Sequence, residues 1–192
     1  MIRAATPGDA AAIAAIYAPV VEGTTISFEE VAPTAAEMAE RIARGLERRP
    51  WLVDERRGEI VGYVYASEHR SRASYRWSCD VSAYVRDDVR GQGVGSALYG
   101  ALLRILAAQG FQRAYAGITL PNDASVALHR KAGFELVGVY PDVGYKFGAW
   151  HDTAWYTRQL NPPGRTPAEP IPFGRLAPAV IARLLGRSAE RG

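Results

Sequence analysis

The sequence predicts an α/β (α+β) domain, with a mixed central β-sheet flanked by helices, followed by a short C-terminal segment. Runs of β-branched and aromatic residues alternate along the chain with longer runs in which apolar residues recur at helical spacing. With 192 residues, 48% of them apolar, the chain is large and apolar enough to bury one core. We place the domain at residues 1–160 and the C-terminal segment at residues 161–192.

The N-terminal part of the chain predicts a strand and two helices. IRAAT is typical of a short strand, and the following TPGD has the residues of a helix start, with Thr6 at the cap, so we expect a helix to about Tyr17. TAAE at 34–37 has the spacing of a capping box and predicts a second helix to about Glu47. The stretch TTISFEE between them, at 24–30, fits either a loop or a short strand.

The middle of the chain predicts three strands and then the longest helix. The segments 51–55, 59–68 and 75–85 are rich in the residue types that favour strands. Apolar residues at helical spacing predict a helix over roughly 93–109, and Gly110 is a suitable residue to end it. The remaining predicted elements are a strand at 113–119, a short helix from Asn122 or Asp123 to Gly133, and strands at 134–140 and 153–160.

The C-terminal segment differs in composition from the domain. Residues 161–174 contain five prolines, which predicts an extended conformation, and the rest can form a short amphipathic helix. We interpret the segment as a docked or disordered tail rather than a dedicated interaction element. Its five Arg and two Glu account for the net charge of +3, because the first 160 residues hold 18 basic and 18 acidic groups. The composition therefore does not favour nucleic-acid binding by the domain.

Several classes of protein are disfavoured by what the sequence lacks. Cys79 is the only cysteine, so we expect no disulfide within the chain and no cysteine-based zinc site, and we interpret Cys79 as a core residue rather than a nucleophile. No apolar run is long enough to span a membrane, and the N-terminus does not resemble a signal peptide. We expect a cytoplasmic protein with no metal and no membrane partner.

A glycine-rich loop precedes the longest helix and predicts an anion site. In VRGQGVGSALYGALL, glycines leave the first N–H groups of the helix open to an anion, and Arg90 adds a positive charge. The glycines do not have the spacing of a P-loop or of a dinucleotide-binding loop. The alternative is a glycine-rich turn that serves only close packing on the sheet.

The loop and a second motif together resemble the GNAT family of acetyl-CoA-dependent N-acetyltransferases. The first has the spacing Arg-x-x-Gly-x-Gly, and the second is LPNDASVALHRKAGF. The resemblance implies a GNAT fold, in which the central strands splay apart and backbone N–H groups of Ala83, Tyr84 and Val85 polarise the thioester carbonyl. It further implies that acetyl-CoA contacts Arg90, Gly91, Gln92, Gly93, Val94, Gly95, Ser96, Asn122, Ser125 and Lys131. Asn122 would bind the pantetheine arm, cap the helix, or do both.

Within this family the first 160 residues resemble the phosphinothricin N-acetyltransferases. SYRWSCDVSAYV, AQGF, LPNDASVALH and GYKFGAWHD are among the similar stretches. The resemblance implies an acceptor with the α-amine of a glutamate-like compound, bound by Phe28, Arg70, Arg72 and Tyr75. An arginine fork suits a carboxylate or phosphinate because it donates two parallel hydrogen bonds. The resemblance also implies a homodimer.

Two residues are candidates for proton transfer. Asp80 stands where the resembling enzymes have a Glu, so it acts as the base directly or through a water, admits a different amine, or forms an ion pair with Arg72. His129 is either the proton donor to the leaving thiolate or a structural hydrogen-bond donor. We interpret His151 and Asp152 as structural. Tyr145 and Lys146 are expected to shape the pocket or the interface.

Other functions remain as alternatives at this stage. The acceptor is another small amine or a peptide N-terminus in the first alternative. In the second, the protein binds acetyl-CoA as a regulatory module without turnover, which the change from Glu to Asp80 and the unusual tail suggest. Nucleic-acid binding through the basic tail is the third, and it rests on residues 161–192 alone.

Overall fold

The computed structural model describes residues 1–186 and has a single seven-stranded β-sheet with helices on both faces. The strands are β1 (Ile2–Ala4), β2 (Trp51–Arg56), β3 (Glu59–Glu68), β4 (Ser78–Val85), β5 (Arg113–Thr119), β6 (Glu135–Lys146) and β7 (Ala149–Gln159). The helices are α1 (Ala10–Gly23), α2 (Ala35–Arg48), α3 (Val94–Gln109), α4 (Asp123–Lys131) and α5 (Pro178–Leu184). The strand order is β1-β2-β3-β4-β5-β7-β6, and only β4 and β5 pair in parallel. The predicted mixed sheet is therefore confirmed.

The sheet separates two apolar cores. Helix α3 covers one face with side chains such as Leu98, Leu102 and Ile105, all fully buried. Helices α1 and α2 cover the other face, where Ile13 and Ile42 are fully buried. Burial of apolar surface on both faces holds the central strands in place, and it is the main source of the stability of the fold.

Helix α1 is longer than its sequence pattern predicts. It continues from Tyr17 to Gly23, through Pro19, although a proline inside a helix removes one backbone hydrogen bond. Val20 and Val21 are buried against the sheet, and this packing compensates for the lost bond. The ambiguous stretch at 24–30 is a loop.

Three strands have bounds that differ from the prediction. The strand expected at 75–85 begins at Ser78, because Ala73–Tyr75 forms a 3-10 turn. The last two strands are longer than expected and form a hairpin, β6 and β7, whose register shifts twice. Tertiary pairing lengthens these strands, and local composition does not carry that information.

The C-terminal segment packs on the domain. Phe173 is buried in the α3 core, and α5 lies against α3. The side chain of Gln109 donates hydrogen bonds to the carbonyl oxygens of Arg48 (2.9 Å) and Ile171 (2.7 Å), which joins the segment to α2 and α3. Of the predicted amphipathic helix, Pro178–Leu184 is helical as α5, and residues 187–192 lie outside the described residues.

Candidate active site

The two central strands part halfway along their length. Strands β4 and β5 pair only at Ser78–Arg113, Cys79–Ala114 and Asp80–Tyr115, although each strand continues for several residues. Beyond Asp80, β4 pairs only with β3, and β5 pairs only with β7. The predicted splay is confirmed, and it opens a gap in the middle of the sheet.

Backbone amides of β4 face this gap. Arg86 N–H donates to Val61 O at 3.0 Å, and the two residues are directly opposite in the antiparallel pair with β3. Since hydrogen-bonded and open positions alternate along such a pair, Tyr84 is directed to β3, whereas Ala83 and Val85 are directed to the gap. Their N–H groups are the ones available to a bound carbonyl oxygen.

The glycines of the loop before α3 have different roles. Gly91 and Gly93 have φ of 75° and 80°, a region that glycine adopts readily and other residues avoid. A Cβ at either position would have no atom within 4 Å, so both positions border open space. A Cβ at Gly95 would lie 3.0 Å from Leu128, so this third glycine allows α3 and α4 to approach closely. The loop therefore allows α3 to pack closely on α4 at Gly95, and it leaves space beside the start of α3 at Gly91 and Gly93.

A cleft of about 400 Å³ connects the loop to the parted strands. Its residues come from β4, the start of α3 and one face of α4, and a narrower space of about 50 Å³ continues it between the strands. Gln92 is not part of the wall, since its side chain is directed to Asp88 O at 3.4 Å. The predicted residues that line the cleft are Ala83, Tyr84, Val85, Arg90, Gly91, Gly93, Val94, Gly95, Ser96, Asn122, Ser125, His129 and Lys131.

Helix α4 closes one side of the cleft. Asn122 caps it, with Oδ1 accepting a hydrogen bond from Ser125 N–H at 3.1 Å. One turn later His129 is buried, with Nδ1 2.8 Å from Ser125 O and Nε2 2.8 Å from the Tyr99 hydroxyl. A carbonyl only accepts, so Nδ1 carries the hydrogen and Nε2 accepts from Tyr99. Burial lowers the pKa of His129, which favours this neutral form.

At the point where the strands part, Asp80 pairs with a histidine. His69 Nδ1 lies 2.6 Å from Asp80 Oδ1, and both side chains are mostly buried. Burial raises the pKa of Asp80, and the hydrogen bond with His69 opposes this shift. The partner of Asp80 is thus His69, and not Arg72 as one sequence interpretation held.

The four residues predicted to bind the acceptor have different environments. The Tyr75 ring meets the edge of His69 at 6.0 Å, and the Arg70 guanidinium lies over Trp155 at 5.8 Å. Arg72 is exposed at the start of the 3-10 turn. Phe28 packs against Gly144 of β6, where a Cβ would collide with its ring.

The other singled-out polar residues have structural partners. Lys146 is buried and its Nζ donates to the carbonyl oxygens of Val21, Ser27 and Glu29 at 2.6–2.8 Å, which fastens the loop after α1 to β6. His151 bonds to Lys146 O at 3.0 Å. Asp152 accepts from the backbone N–H of Asp142 at 2.9 Å, so it does not form a dyad with His151. Cys79 is fully buried, and burial raises the pKa of its thiol to about 12.

Sequence reasoning missed three residues of the site. His69 directly precedes Arg70, a predicted acceptor-binding residue, but nothing in the sequence pairs His69 with Asp80. Tyr99 falls among the apolar positions of α3, where a buried tyrosine is ordinary. Trp155 lies on β7, and its ring meets Gly117 of β5 and the edge of His69.

Within residues 1–186, no cluster of three or more His, Cys, Asp and Glu side chains is arranged to hold a metal ion. Over the same residues, no helix is both long and apolar enough to cross a membrane.

A mixed sheet whose two parallel strands part, together with a glycine-rich loop at the start of a helix, is the arrangement of acyltransferases that use acetyl-CoA. The sequence model described as "Acetyltransferase (GNAT) domain" matches residues 2–155. The chain therefore belongs to the GNAT family of acetyltransferases and is an acyl-transferring enzyme.

Similar proteins support a closer relationship. The chain is 37% identical to a phosphinothricin N-acetyltransferase of Streptomyces viridochromogenes over 88% of this chain and 92% of that protein. It is 38% identical to an L-methionine sulfoximine/L-methionine sulfone acetyltransferase of Pseudomonas paraeruginosa over 86% of this chain and 98% of that protein. A phosphinothricin acetyltransferase from Sinorhizobium meliloti, solved in complex with AcCoA, superposes with a TM-score of 0.84 at 36% identity, covering 92% of this chain and 97% of that one. The resemblance to this group is confirmed.

Proposed function

We propose that the protein transfers an acetyl group from acetyl-CoA to the α-amine of a small, glutamate-like amino acid analogue. The observation that carries the proposal is the continuity of the site. The glycine loop lines a cleft that reaches the parted strands, and Asp80 is the last residue of β4 that pairs with β5 before they part. Relatives that are named for phosphinothricin and for methionine sulfoximine or sulfone support this choice of acceptor.

The cleft residues fit the cofactor by their chemistry. Gly91 and Gly93 border open space at the start of α3, where helix N–H groups attract a pyrophosphate. Arg90 and Lys131 add positive charge at the wall, and Ser96, Asn122 and Ser125 supply polar groups further along. Acetyl-CoA brings the activated thioester, and the N–H groups of Ala83 and Val85 would stabilise negative charge on its carbonyl oxygen.

The acceptor amine must lose a proton before it can attack. Even a peptide α-amine, with a pKa near 8, is mostly protonated at pH 7, and the free carboxylate of an amino acid analogue raises the amine pKa further, so a nearby base raises the useful fraction. Asp80 supplies a carboxylate where β4 and β5 part, and Arg70, Arg72, Tyr75 and Phe28 stay the proposed acceptor-binding residues. The cationic side chains among them suit an anionic acceptor.

His129 has a positioning role in this proposal. Both ring nitrogens already have protein partners, and burial disfavours the charged form that would be a strong acid. The departing thiolate has a pKa near that of a cysteine, about 8.5, so it takes a proton readily without a dedicated donor. The neutral His129 instead keeps α4 against Tyr99 at the wall of the cleft.

Release of free CoA thiol over a panel of amines tests the proposed acceptor. The panel contains L-phosphinothricin, methionine sulfone, methionine sulfoximine, polyamines and peptides. We expect the first three to give the highest kcat/KM. The variant Asp80→Ala should lose most turnover but still bind acetyl-CoA. Turnover confined to peptides or polyamines would contradict the acceptor class, and acetyl-CoA binding without turnover on any amine would favour a regulatory module.

We further propose a homodimer that acts in the cytoplasm, where acetyl-CoA is available. The support for a dimer is the number of exposed apolar side chains on the β6–β7 hairpin, whose strand β6 is at the edge of the sheet. The exposed side chains of this hairpin surface are Leu136, Val137, Val139, Tyr140, Val143, Tyr145, Phe147 and Trp150.

A further inference from the structure

Two side chains, His69 and Asp80, lie together at the place considered above for the base. His69 follows directly after β3, and Asp80 lies on β4 opposite Ser67, one residue pair from the end of β3. The antiparallel pairing brings the two side chains together, with His69 Nδ1 2.6 Å from Asp80 Oδ1. Asp80 is also the last residue of β4 that pairs with β5, so the couple lies where the gap in the sheet begins.

We propose that His69 is the catalytic base, which accepts the amine proton at Nε2, and that Asp80 is a positioning residue that holds the imidazole. This inference rests on the proposed N-acetyltransferase function and deepens it. It differs from the direct or water-mediated role of a carboxylate considered above.

The hydrogen bond with Asp80 determines which nitrogen is basic. A carboxylate oxygen only accepts, so in a hydrogen bond with an Asp80 carboxylate the hydrogen lies on Nδ1. Nδ1 then donates to Asp80, and the lone pair remains on Nε2. Among the described residues, Nε2 has no hydrogen-bond partner, so its lone pair is not used by the protein itself.

Aromatic contacts fix the plane of the His69 ring. It stacks on Tyr115 of β5 at 4.3 Å between centroids and 13° between planes. The rings of Tyr75 and Trp155 meet it edge-on at 6.0 and 6.2 Å. A base whose ring is clamped on three sides keeps Nε2 in one direction, as general-base catalysis requires.

The arrangement also explains how a short carboxylate can serve here. Asp80 is one methylene shorter than the Glu of the resembling enzymes, and it does not reach as far from the strand. The imidazole extends the basic atom beyond the carboxylate, and the carboxylate stabilises the imidazolium that forms.

The reaction balances with this assignment. The ammonium form of the acceptor gives one proton to His69 Nε2, and the freed lone pair forms the N–C bond with the acetyl carbon. The C–S bond breaks, and its electron pair leaves on sulfur. The amide nitrogen loses a second proton, so that one proton ends on the thiol and His69 returns the other to solvent.

Other charged groups act on the pair. Arg49 at the end of α2 and Arg70 both favour the carboxylate form of Asp80. Glu68, at the end of β3, is adjacent to His69 in the chain. The pH dependence therefore belongs to the coupled His69–Asp80 pair in this charged environment, and not to an isolated imidazole.

The pH profile of kcat in His69 and Asp80 variants tests the proposal, because kcat reports groups in the complex with both substrates. His69→Gln keeps a donor toward Asp80 but cannot take a proton. We expect it to lose the acidic limb of the profile and about 10²–10⁴-fold in kcat. Asp80→Asn should retain an acidic limb, because the imidazole remains, but kcat should fall because the ring loses the carboxylate that holds it.

Controls separate catalysis from folding. His151→Gln is the matched change at a histidine outside the site and should leave the profile unchanged. Should His69→Gln fold poorly, His69→Ala with added imidazole replaces it, and we expect partial rescue of kcat. All variants should bind acetyl-CoA with the wild-type Kd.

The outcomes distinguish the proposed role of His69 from the proposed N-acetyltransferase function. A His69→Gln profile with an unchanged acidic limb and near-normal kcat would overturn the role of His69 alone. Loss of that limb in Asp80→Asn but not in His69→Gln would return the base to Asp80. A wild type without turnover on any amine would overturn the proposed function and this inference with it.

Discussion

At the scale of single residues, the glycine loop shows how one residue type serves different needs. Gly91 and Gly93 adopt positive φ beside open space, whereas a Cβ at Gly95 would lie only 3.0 Å from Leu128. The first two positions demand the conformation that only glycine adopts without strain. The third demands the absence of a side chain, because α3 and α4 meet there.

Gly93→Ala tests the open positions of the loop. An alanine at positive φ costs roughly 1–2 kcal/mol and places a methyl group where the pyrophosphate would lie. We expect lower stability and acetyl-CoA binding weaker by about tenfold or more, measured by calorimetry. Gly100→Ala, in the interior of α3, is the matched control and should be neutral or stabilising. Equal binding by both variants would contradict the anion role.

At the scale of elements, the C-terminal segment behaves as part of the domain. Its extended portion passes the end of α3, where Trp77 Nε1 donates to Ala168 O at 2.8 Å and Ile171 N–H donates to Gln109 O at 2.7 Å. Phe173 then enters the α3 core. A segment rich in prolines has less conformational entropy to lose, so the buried Phe173 and these hydrogen bonds together can fix it.

Phe173→Ala measures how much this docking stabilises the protein. Loss of a buried phenylalanine costs about 3–5 kcal/mol and should lower Tm by roughly 6–20 °C in a chain of this size. Ile171→Ala is the matched control, because Ile171 is exposed in the same segment and its backbone bonds are unaffected. Thermal unfolding measures both variants. A similar, small effect from each would show that the segment contributes little to the fold.

At the scale of the whole molecule, the strand order separates two surfaces. The parted strands β4 and β5 are central, so the cleft is surrounded by rigid elements. The β6–β7 hairpin lies at the far edge and carries the apolar hairpin surface. The dimer proposed above, formed through this edge, would leave the cleft open to substrates.

Trp150→Glu tests this surface as the dimer contact. Light scattering of the wild type should give twice the chain mass of 20.9 kDa, and the charged side chain should shift the equilibrium to monomer. Val31→Glu is the matched control, since Val31 is 80% exposed in the loop between α1 and α2. A wild-type monomer, or dissociation by the control alone, would contradict the proposed interface.

Much of the architecture follows from local patterns. Helix α3 begins at the glycine loop and ends at Gly110, and α2 begins at a capping box in which Thr34 and Glu37 bond to each other, as the spacing predicted. These features depend on residues three or four positions apart, and the sequence contains both partners. The cleft residues between Arg90 and Lys131 could be predicted from the sequence for the same reason, because two short motifs contain most of them.

The sequence by itself determined the class of fold, the glycine-rich loop and the family, because the patterns that indicate them lie within short stretches of the chain. Only the tertiary structure decided the pairing of His69 with Asp80, the extension of α1 through Pro19 and the docking of Phe173. In each of these, the free energy comes from groups that are distant in the chain and meet only when the sheet has formed. Local propensity is too weak to predict such contacts, because burial and strand register override it.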